Sequence, residues 1–399
     1  MPILYVIIFI PQKSVKSHYF LGGYFMKEVR CRYCGFTCYK YGKTRAGTQR
    51  WKCRECGNVF TLPINRDAKD FSMFLDWLFS KDTQKDMTGE GRNFRRKTAK
   101  FWDIWAMPPK IEELRKTVYV DGIYLARKAC ILICCDEHHV LGWYLCRYER
   151  AFAWEALMSR IAEPRIVVSD GGPGFQKALK KVWPNARLQR CIFHVFCQIR
   201  RYTTTRPRTL AGAQLYMLAR DLLEIKTLKK AEKWVSRFES WTMKHKEFLK
   251  EMTMDDRGVM RHTHERLIKA KTSLISLIKS GNLFTYLKEA DEFPSPYPAT
   301  NNLIEGGVNA QLRAMLRNHR GLSVERRIKA VFWWCYMHSP KPLSLSEILK
   351  VMPTDKSIST IYNSISSQQR LADSIPAWGD AIMWDELHNS GFNFSHGWD

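Results

Sequence analysis

Two Cys-x-x-Cys pairs constrain the N-terminal part of this chain more tightly than any other feature of its sequence. The segments CRYC and CREC, separated by eighteen residues, supply four cysteines: Cys31, Cys34, Cys53 and Cys56. Each pair presents two thiolates to one metal ion, and two such pairs close a tetrahedral Zn²⁺ site. A glycine follows each pair, Gly35 and Gly57, where a tight turn needs a positive φ. The pattern predicts a zinc ribbon over residues 26–66; four buried cysteines without a metal are the alternative.

The balance of charge points to a polyanionic partner. Lys and Arg number 64 against 39 Asp and Glu, which gives the 399-residue chain a net charge of +25 at pH 7. With 45% hydrophobic and 26% charged residues, the composition is that of a globular protein. A surplus of this size costs self-repulsion, which binding to nucleic acid relieves while releasing counterions. Nucleic acid is the favoured partner, and a basic protein without such a partner is the alternative.

The first residues and the remaining cysteines argue against a membrane or secreted protein. The apolar run MPILYVIIFIP is too short to span a bilayer, has no basic residue before it and is followed by no small-residue cleavage site. We interpret residues 1–25 as an N-terminal extension, with Met26 as the natural start. The twelve cysteines lie in paired spacing, inside apolar runs or alone, which fits a reducing compartment rather than a disulfide framework.

Residues 67–110 show the apolar periodicity of two helices with a break between them. A stripe at helix spacing runs through the first: Phe71, Phe74, Leu75, Trp77 and Leu78. The second carries aromatic residues that we expect in a core: Phe94, Phe101, Trp102 and Trp105. Its basic residues would lie on the opposite side: Arg92, Arg95, Arg96, Lys97 and Lys100. This arrangement resembles a helix-turn-helix whose second helix reaches DNA phosphates and base edges. The alternative is a solvated basic helix without a partner.

Beyond residue 110 the pattern changes first to strands and then to helices. Short β-rich runs such as TVYVD, ACILICCD and VLGWYLC come first, and strands then alternate with helical segments. This predicts an α/β fold with a mixed sheet and helices on its faces. A basic segment without strand signal follows and predicts an all-helical insertion. The chain thus divides into a first sheet-containing part, the insertion, a second part with a helix near its start, and a tail: 111–204, 205–295, 296–340 and 341–399.

Two aspartates follow buried strands. Asp121 ends the apolar run VYV, Asp170 ends the run IVVS, and each precedes a glycine. A carboxylate at the C-terminal end of a buried strand stands at the sheet edge, where α/β folds bind ligands. Two such carboxylates on adjacent strands repel each other unless cations lie between them, and two divalent ions about 3.5–4 Å apart are the usual arrangement in phosphodiester chemistry. Each aspartate alone could equally be a cap or a turn former.

A third carboxylate, Glu305, lies in an early helical turn of the segment TNNLIEGGVNAQLR. Near a helix N-terminus a carboxylate is favourable as a capping charge. From these residues alone, capping is the preferred interpretation.

Taken in order, TVYVDG, VVSDGGPGF, RCIFH and TNNLIEGG resemble the mutator-type bacterial insertion-sequence transposases. More narrowly, the chain is similar to a branch that has an N-terminal zinc ribbon (GTQRWKCRECGNVF) followed by FLDWL and a basic helix. The resemblance implies an RNase H-like catalytic domain with a helical insertion. It also implies that Asp121, Asp170 and Glu305 form a catalytic triad that holds Mg²⁺ or Mn²⁺. Cys191 and His194 match a Cys-x-x-His of this family and are expected near the active site, in contact with DNA; a structural role for them is an equal alternative.

The function implied by this resemblance is that of a DNA transposase. Such an enzyme binds the terminal inverted repeats of its element, cleaves there and joins the ends to target DNA, and bringing two ends together suggests a dimer or larger homo-oligomer. The expected location is the nucleoid of a prokaryotic cytoplasm, with no membrane partner. Two alternatives remain: an RNase H-like nuclease or resolvase that cuts without joining, and a zinc-ribbon DNA-binding regulator without catalysis.

Overall fold

The N-terminal module is a three-stranded antiparallel sheet whose strands lie side by side in chain order. The computed structural model describes residues 29–62, 66–87, 89–126, 128–288 and 297–360, so the predicted extension over residues 1–25 lies outside its description. The three strands are short: β1 (Cys38–Lys43), β2 (Gln49–Cys53) and β3 (Val59–Thr61). Gly35 and Gly57 have φ values of +75° and +68°, which confirms the turns predicted after the two cysteine pairs.

Two helices separate this module from the large sheet. They are α1 (Asp67–Phe79) and α2 (Arg92–Thr98), and α2 continues as a 3₁₀ turn over Ala99–Asp103. A further 3₁₀ turn, Gln84–Asp86, lies between them. The predicted aromatic core is confirmed, since ring centroids lie 5.0 Å apart for Phe71 and Phe101 and 4.9 Å apart for Phe74 and Trp102. Phe71 also contacts Trp333 at 5.0 Å, so this region shares its core with the C-terminal helices.

The central element is a five-stranded mixed sheet of β4 (Thr117–Leu125), β5 (Ala129–Cys135), β6 (Val140–Cys146), β7 (Ile166–Ser169) and β8 (Arg187–Arg190). The strand order in the sheet is β6-β5-β4-β7-β8. Strands β4, β5 and β6 are antiparallel neighbours, whereas β7 and β8 run parallel to β4. The mixed sheet predicted from the β-rich runs is therefore confirmed.

Both faces of this sheet are covered. One face packs against α3 (Ala151–Met158) and α4 (Pro173–Val182) through Trp154 and Phe175. The opposite face packs in the core that also contains the helix Val324–Met337 and the aromatic residues of α1. Because neither face meets water, the strands read as continuous apolar runs instead of alternating ones. The sheet edge near the ends of β4 and β7 is what remains for polar chemistry.

The insertion between the sheet and the C-terminal helices departs from the prediction. Helix α5 (Ile192–Thr203) precedes the insertion, whose helices are α6 (Leu210–Asp221), α7 (Leu228–Lys244), α8 (Glu265–Lys279) and α9 (Thr285–Lys288). The prediction of an all-helical insertion is wrong, because β9 (Met252–Met254) and β10 (Met260–His262) form an antiparallel hairpin. Asp255 Oδ1 accepts hydrogen bonds from the N–H groups of Arg257 and Val259, and Gly258 has a φ of +75°. This Asx-type turn stabilises a hairpin in a segment too short to show strand periodicity.

The C-terminal part begins with a π turn over Leu303–Val308, which leads directly into helix α10. The helices are α10 (Asn309–Asn318), α11 (Val324–Met337) and α12 (Leu345–Val351). The buried Lys329 of α11 forms an ion pair of 2.7 Å with Asp355, so the described start of the predicted tail is fastened to the core. Residues 361–399 lie outside the description. Among the described residues, no helix combines the length and apolar character that crossing a membrane requires.

Candidate active site and zinc module

Asp121 lies inside strand β4, and the prediction that it ends the strand is wrong. The strand continues to Leu125 because this second half still pairs with β5, as far as the pair of Leu125 and Ala129. Its pairing with β7 stops at Tyr119 and Val168, however, so Asp121 stands where β4 extends beyond its parallel neighbour. The carboxylate therefore still lies at the edge where the prediction placed it, although for a different reason.

Asp170 directly follows β7, as predicted, and extending the β4–β7 register by two residues brings it alongside Asp121. Its Oδ1 accepts a hydrogen bond of 3.0 Å from the N–H of Gly172. Gly171, between them, has a φ of +86°. A Cβ at Gly171 would come within 2.6 Å of Arg190 Nη1 and closer still to Nε, so the missing side chain makes room for the Arg190 guanidinium. The turn after Asp170 and the position of the Arg190 side chain, at the end of β8, thus both depend on Gly171.

Gly171→Ala is expected to destabilise the protein by about 1–3 kcal/mol, because alanine is strained at this φ and overlaps Arg190. Thermal unfolding measures the loss. Gly321→Ala is the matched control, since a Cβ there meets no atom within 4 Å and its backbone is not in the left-handed region. Equal melting temperatures for the two variants would contradict the packing described for Asp170 and Arg190.

Glu305 reaches the same edge from the π turn. Its backbone N–H donates to the Asn301 carbonyl at 3.1 Å. Its Oε1 lies 3.3 Å from Nδ1 of His194, but the angles are not those of a hydrogen bond, and this oxygen accepts none from the described residues. Cys191 precedes α5, which carries His194, and the potential ligand atoms of Cys191, His194 and Glu305 all lie within 4.8 Å of one another. The structure thus places the predicted Cys-x-x-His pair beside Glu305.

The carboxyl groups at this edge repel one another. Burial raises the pKa of Asp121 to about 6, with further increases from the charges of Glu305 and Asp170, against the opposing N–H of Gly122. Burial and the charge of Asp170 also raise the pKa of Glu305. Raised pKa values of this origin mark a place where negative charge is concentrated without compensation. A cation bound between the carboxylates would supply that compensation.

Glu149 is a fourth carboxyl group at this edge, and the sequence interpretation missed it. Burial, followed by the charges of Asp170 and Asp121, raises its pKa to about 7. A Cβ on Gly122 would lie 2.6 Å from Glu149 Oε1, so Glu149 occupies the space next to Asp121 that a glycine leaves open. Glu149 follows β6 in the segment CRYERAF, where flanking arginines make it look like an ordinary surface charge. Only the pairing of β4 with β5, and of β5 with β6, brings it to Asp121.

The donor groups at this edge fit Mg²⁺ or Mn²⁺ better than Zn²⁺. Carboxylate oxygens are the ligands that Mg²⁺ prefers, and Glu305 Oε1 is a buried acceptor without a hydrogen-bond donor among the described residues. Cys191 and His194 would add soft donors, but the Cys191 Sγ accepts the N–H of Asn301 at 3.2 Å. Burial also raises the pKa of this thiol, which disfavours the thiolate that a zinc ligand requires. The carboxylates, and not the Cys–His pair, are therefore the groups at this edge that fit Mg²⁺ or Mn²⁺.

The four paired cysteines converge in the N-terminal module. Cys31 Sγ lies 3.6 Å from Cys56 Sγ, and Cys34 Sγ lies 3.4 Å from Cys53 Sγ. All four sulfurs lie within 4.8 Å of one another, which is compatible with four ligands around one Zn²⁺. The backbone N–H groups of Cys34 and Tyr33 lower the pKa of Cys31, which favours its thiolate. The donors, their number and their separation fit a structural zinc site.

Removal of zinc, by a chelator or by Cys53→Ser, is expected to unfold the N-terminal module, because its three short strands bury little apolar surface. End-specific DNA binding should weaken more than nonspecific binding. Metal analysis of the purified protein and binding titrations measure the two effects. Cys38→Ser is the control, since Cys38 belongs to no four-cysteine group among the described residues. Purified protein that contains no zinc and still binds the element ends specifically would contradict the assignment of a zinc site.

The basic residues predicted to contact DNA lie on and just after α2. Four are exposed and Lys97 is partly so: Arg92, Arg95, Arg96, Lys97 and Lys100. Two of them are engaged with acids of α1, since Lys97 lies 3.9 Å from Asp70 and Lys100 pairs with Asp67. The exposed arginines are therefore the groups of this helix that are best able to reach phosphates.

The central sheet and the insertion match a transposase domain. Residues 117–282 match the family model described as Transposase, Mutator family, and this supports a mutator-type insertion-sequence transposase. The resemblance is thereby confirmed for the motifs inside the matched region, TVYVDG, VVSDGGPGF and RCIFH. The matched region begins at the first residue of β4 and includes Asp121, Asp170, Cys191 and His194, but it ends before Glu305. A comparison with curated proteins finds no match.

Proposed function

We propose that this chain is a DNA transposase that cleaves the ends of a mobile element and joins them to target DNA with an Asp121–Asp170–Glu305 triad. The observation that carries the proposal is the meeting of three carboxyl groups, two of them with raised pKa values, at one sheet edge inside and beside the matched region. The order β6-β5-β4-β7-β8, with three antiparallel strands followed by two parallel ones, supports an RNase H-like sheet. The segments after β8 supply the insertion and the third carboxylate.

The residues of the chain divide the chemistry among them. Asp121, Asp170 and Glu305 would hold Mg²⁺ or Mn²⁺ through their oxygens, and Gly172 N–H fixes one oxygen of Asp170 by a 3.0 Å hydrogen bond. When bound, such ions activate a water for attack on the phosphodiester and stabilise the leaving 3′ oxygen. The freed 3′ hydroxyl then replaces water as the nucleophile toward target DNA. No serine or tyrosine nucleophile and no covalent protein–DNA intermediate is needed.

The remaining parts serve DNA recognition in this proposal. The zinc ribbon (26–66) and the helical region 67–110 bind the terminal inverted repeats, with Arg92, Arg95 and Arg96 toward phosphates. The segments 111–204 and 296–340 form the catalytic core around the insertion 205–295. Synapsis of two ends makes a dimer or larger homo-oligomer the working form, at the prokaryotic nucleoid in the cytoplasm.

A strand-transfer assay with supplied element ends and Mg²⁺ tests the proposal. Transposase activity predicts both cut ends and joined products in which an element strand is covalently linked to target DNA. Cutting without joined products would support the nuclease or resolvase alternative. Specific binding without cutting, in Mg²⁺ and in Mn²⁺, would support the non-catalytic regulator and overturn the proposal.

A further inference from the structure

We propose that Asn309 is a positioning residue that holds the Asp121 carboxylate in one orientation and couples its placement to that of Glu305. The inference rests on the proposed triad and deepens it, because it concerns how two ligands from distant parts of the chain are presented together. Asn309 is fully buried, and its Nδ2 donates a hydrogen bond of 2.7 Å to Asp121 Oδ2. It is the first residue of α10, directly after the π turn that carries Glu305.

A second buried asparagine fastens the other end of the same turn. Asn301 is also fully buried, and its Nδ2 donates to the Val120 carbonyl at 3.1 Å. The backbone carbonyl of Asn301 accepts the N–H of Glu305. The turn with Glu305 is therefore attached to β4 at both ends, to the Val120 carbonyl by Asn301 and to the Asp121 carboxylate by Asn309. Because these bonds reach adjacent residues of one strand, Glu305 is placed relative to β4 and not merely near it.

The backbone of this segment explains how all three side chains reach the sheet. Asn301, Glu305 and Asn309 are spaced four residues apart, and in a regular α-helix of 3.6 residues per turn each such step rotates the side chain by about 40°. Over two steps the rotation of about 80° would carry Asn309 away from the face that Asn301 uses. The structure instead has the wider π turn over Leu303–Val308 between them. Single π turns of this kind are rare and are found mostly at functional sites.

An amide is well suited to this task electrostatically. Asp121 Oδ1 accepts the N–H of Gly122 at 2.9 Å, so the Asn309 amide is the donor that fixes the second oxygen, Oδ2. A lysine or arginine partner would oppose the repulsion among the carboxylates but would also compete with a bound cation. The neutral Asn309 amide holds Oδ2 by a hydrogen bond and leaves the full negative charge of Asp121 available. Removing such a partner of a metal ligand typically costs about 10- to 100-fold in metal affinity or activity.

The test compares Mn²⁺ binding by calorimetry, DNA cleavage and thermal unfolding in four variants of the full chain. Asn309→Leu removes the donor but fills a buried site with an apolar side chain of similar size, and Asn309→Gln keeps the amide on a longer side chain. Asn318→Leu is the matched control, because Asn318 lies exposed at the end of the same helix. Asp121→Asn provides the reference for loss of the ligand itself. We expect N309L to weaken Mn²⁺ binding and cleavage by about 10- to 100-fold and N309Q to lose less of both, while N318L stays like wild type.

The outcomes separate the inference from the proposed function. A purely structural role for Asn309 predicts the opposite order, in which the better-packing leucine is less harmful than glutamine, and that order would overturn the inference. It is also overturned if both Asn309 variants bind Mn²⁺ and cleave like wild type while D121N loses both activities; the triad would then stand. If D121N itself binds Mn²⁺ and cleaves like wild type, the triad fails, and the inference fails with it. If N309L does not fold, N309Q alone decides between retained and weakened Mn²⁺ binding.

Discussion

Asp121→Asn is expected to abolish DNA cleavage in Mg²⁺, by about a thousandfold or more, while folding and DNA binding remain intact. The substitution keeps the size of the side chain and leaves an oxygen that can accept the Gly122 N–H, as Asp121 Oδ1 does at 2.9 Å. It removes the negative charge that a divalent cation requires. Cleavage of a labelled element end and a gel-shift titration measure the two properties on the same preparation.

The melting temperature of this variant gives an independent check on its charge. The pKa of Asp121 is raised to about 6, above about 3.9 for an aspartate in an unfolded chain. Between these values the folded protein holds more protons than the unfolded one, so the stability of the metal-free protein falls as pH rises from about 4 to 6. Above pH 6 the whole penalty is present. Metal-free D121N should therefore melt at or above the wild-type temperature at pH 7, and this difference should vanish near pH 4.

Two results would count against this interpretation of Asp121. Wild-type cleavage rates in D121N would remove the residue from the triad. A marked fall in the melting temperature at pH 7 without metal would show that the hydrogen bonds of the carboxylate to Asn309 and Gly122 stabilise the fold by more than its charge repulsion destabilises it. Both measurements need the intact chain, because the Asp121 site is completed by Asn309, which is 188 residues away in the sequence.

The large sheet could be predicted from the sequence because its strands are buried on both faces. Runs such as ACILICC leave few alternatives to a central strand, and the structure places all seven of these residues in β5. The hairpin in the insertion could not be predicted in the same way. Its two strands are exposed and three residues long, and Asp255 and Gly258 act through a local turn that leaves no periodic signal. A buried strand leaves a continuous apolar run in the sequence, whereas a single turn leaves only a few turn-forming residues without a repeating pattern.

A residue of the candidate site could be predicted when it directly follows a strand. It could not be predicted when its position depends on residues that are distant in the sequence. Asp170 follows β7 directly, and its turn is visible in the sequence as Gly-Gly-Pro. Glu149 and Asn309 carry no comparable signal, because each reaches Asp121 only through the assembled sheet and the π turn. For Asp121, the predicted edge of the sheet was right but the predicted end of the strand was wrong. The strand extends beyond only one of its two neighbours, and the sequence gives no sign that it continues beside the other.

Glu305→Gln is expected to reduce cleavage about as severely as Asp170→Asn, because ligands that act as a unit lose function together. Glu305 is brought to the sheet edge only by folding of the insertion and by the π turn, so an equal effect would tie it to the same site. Its carboxylate bears an oxygen without a hydrogen-bond donor among the described residues, and the glutamine should lose no such bond there. Metal-dependent cleavage of a labelled end measures the effect.

Stability separates this role from helix capping, with Glu265→Gln as the matched control. Glu265 lies in the first turn of α8, and its pKa is lowered by Lys269, so its charge stabilises the fold above its unfolded pKa and E265Q should lower the melting temperature at pH 7. Burial and the charge of Asp170 raise the pKa of Glu305. E305Q should therefore leave the melting temperature of the metal-free protein unchanged or raise it. If Glu305 only caps its helix, E305Q should lower the melting temperature at pH 7 as E265Q does, and it should spare cleavage. A stable and fully active E305Q protein would remove Glu305 from the site, and the triad with it.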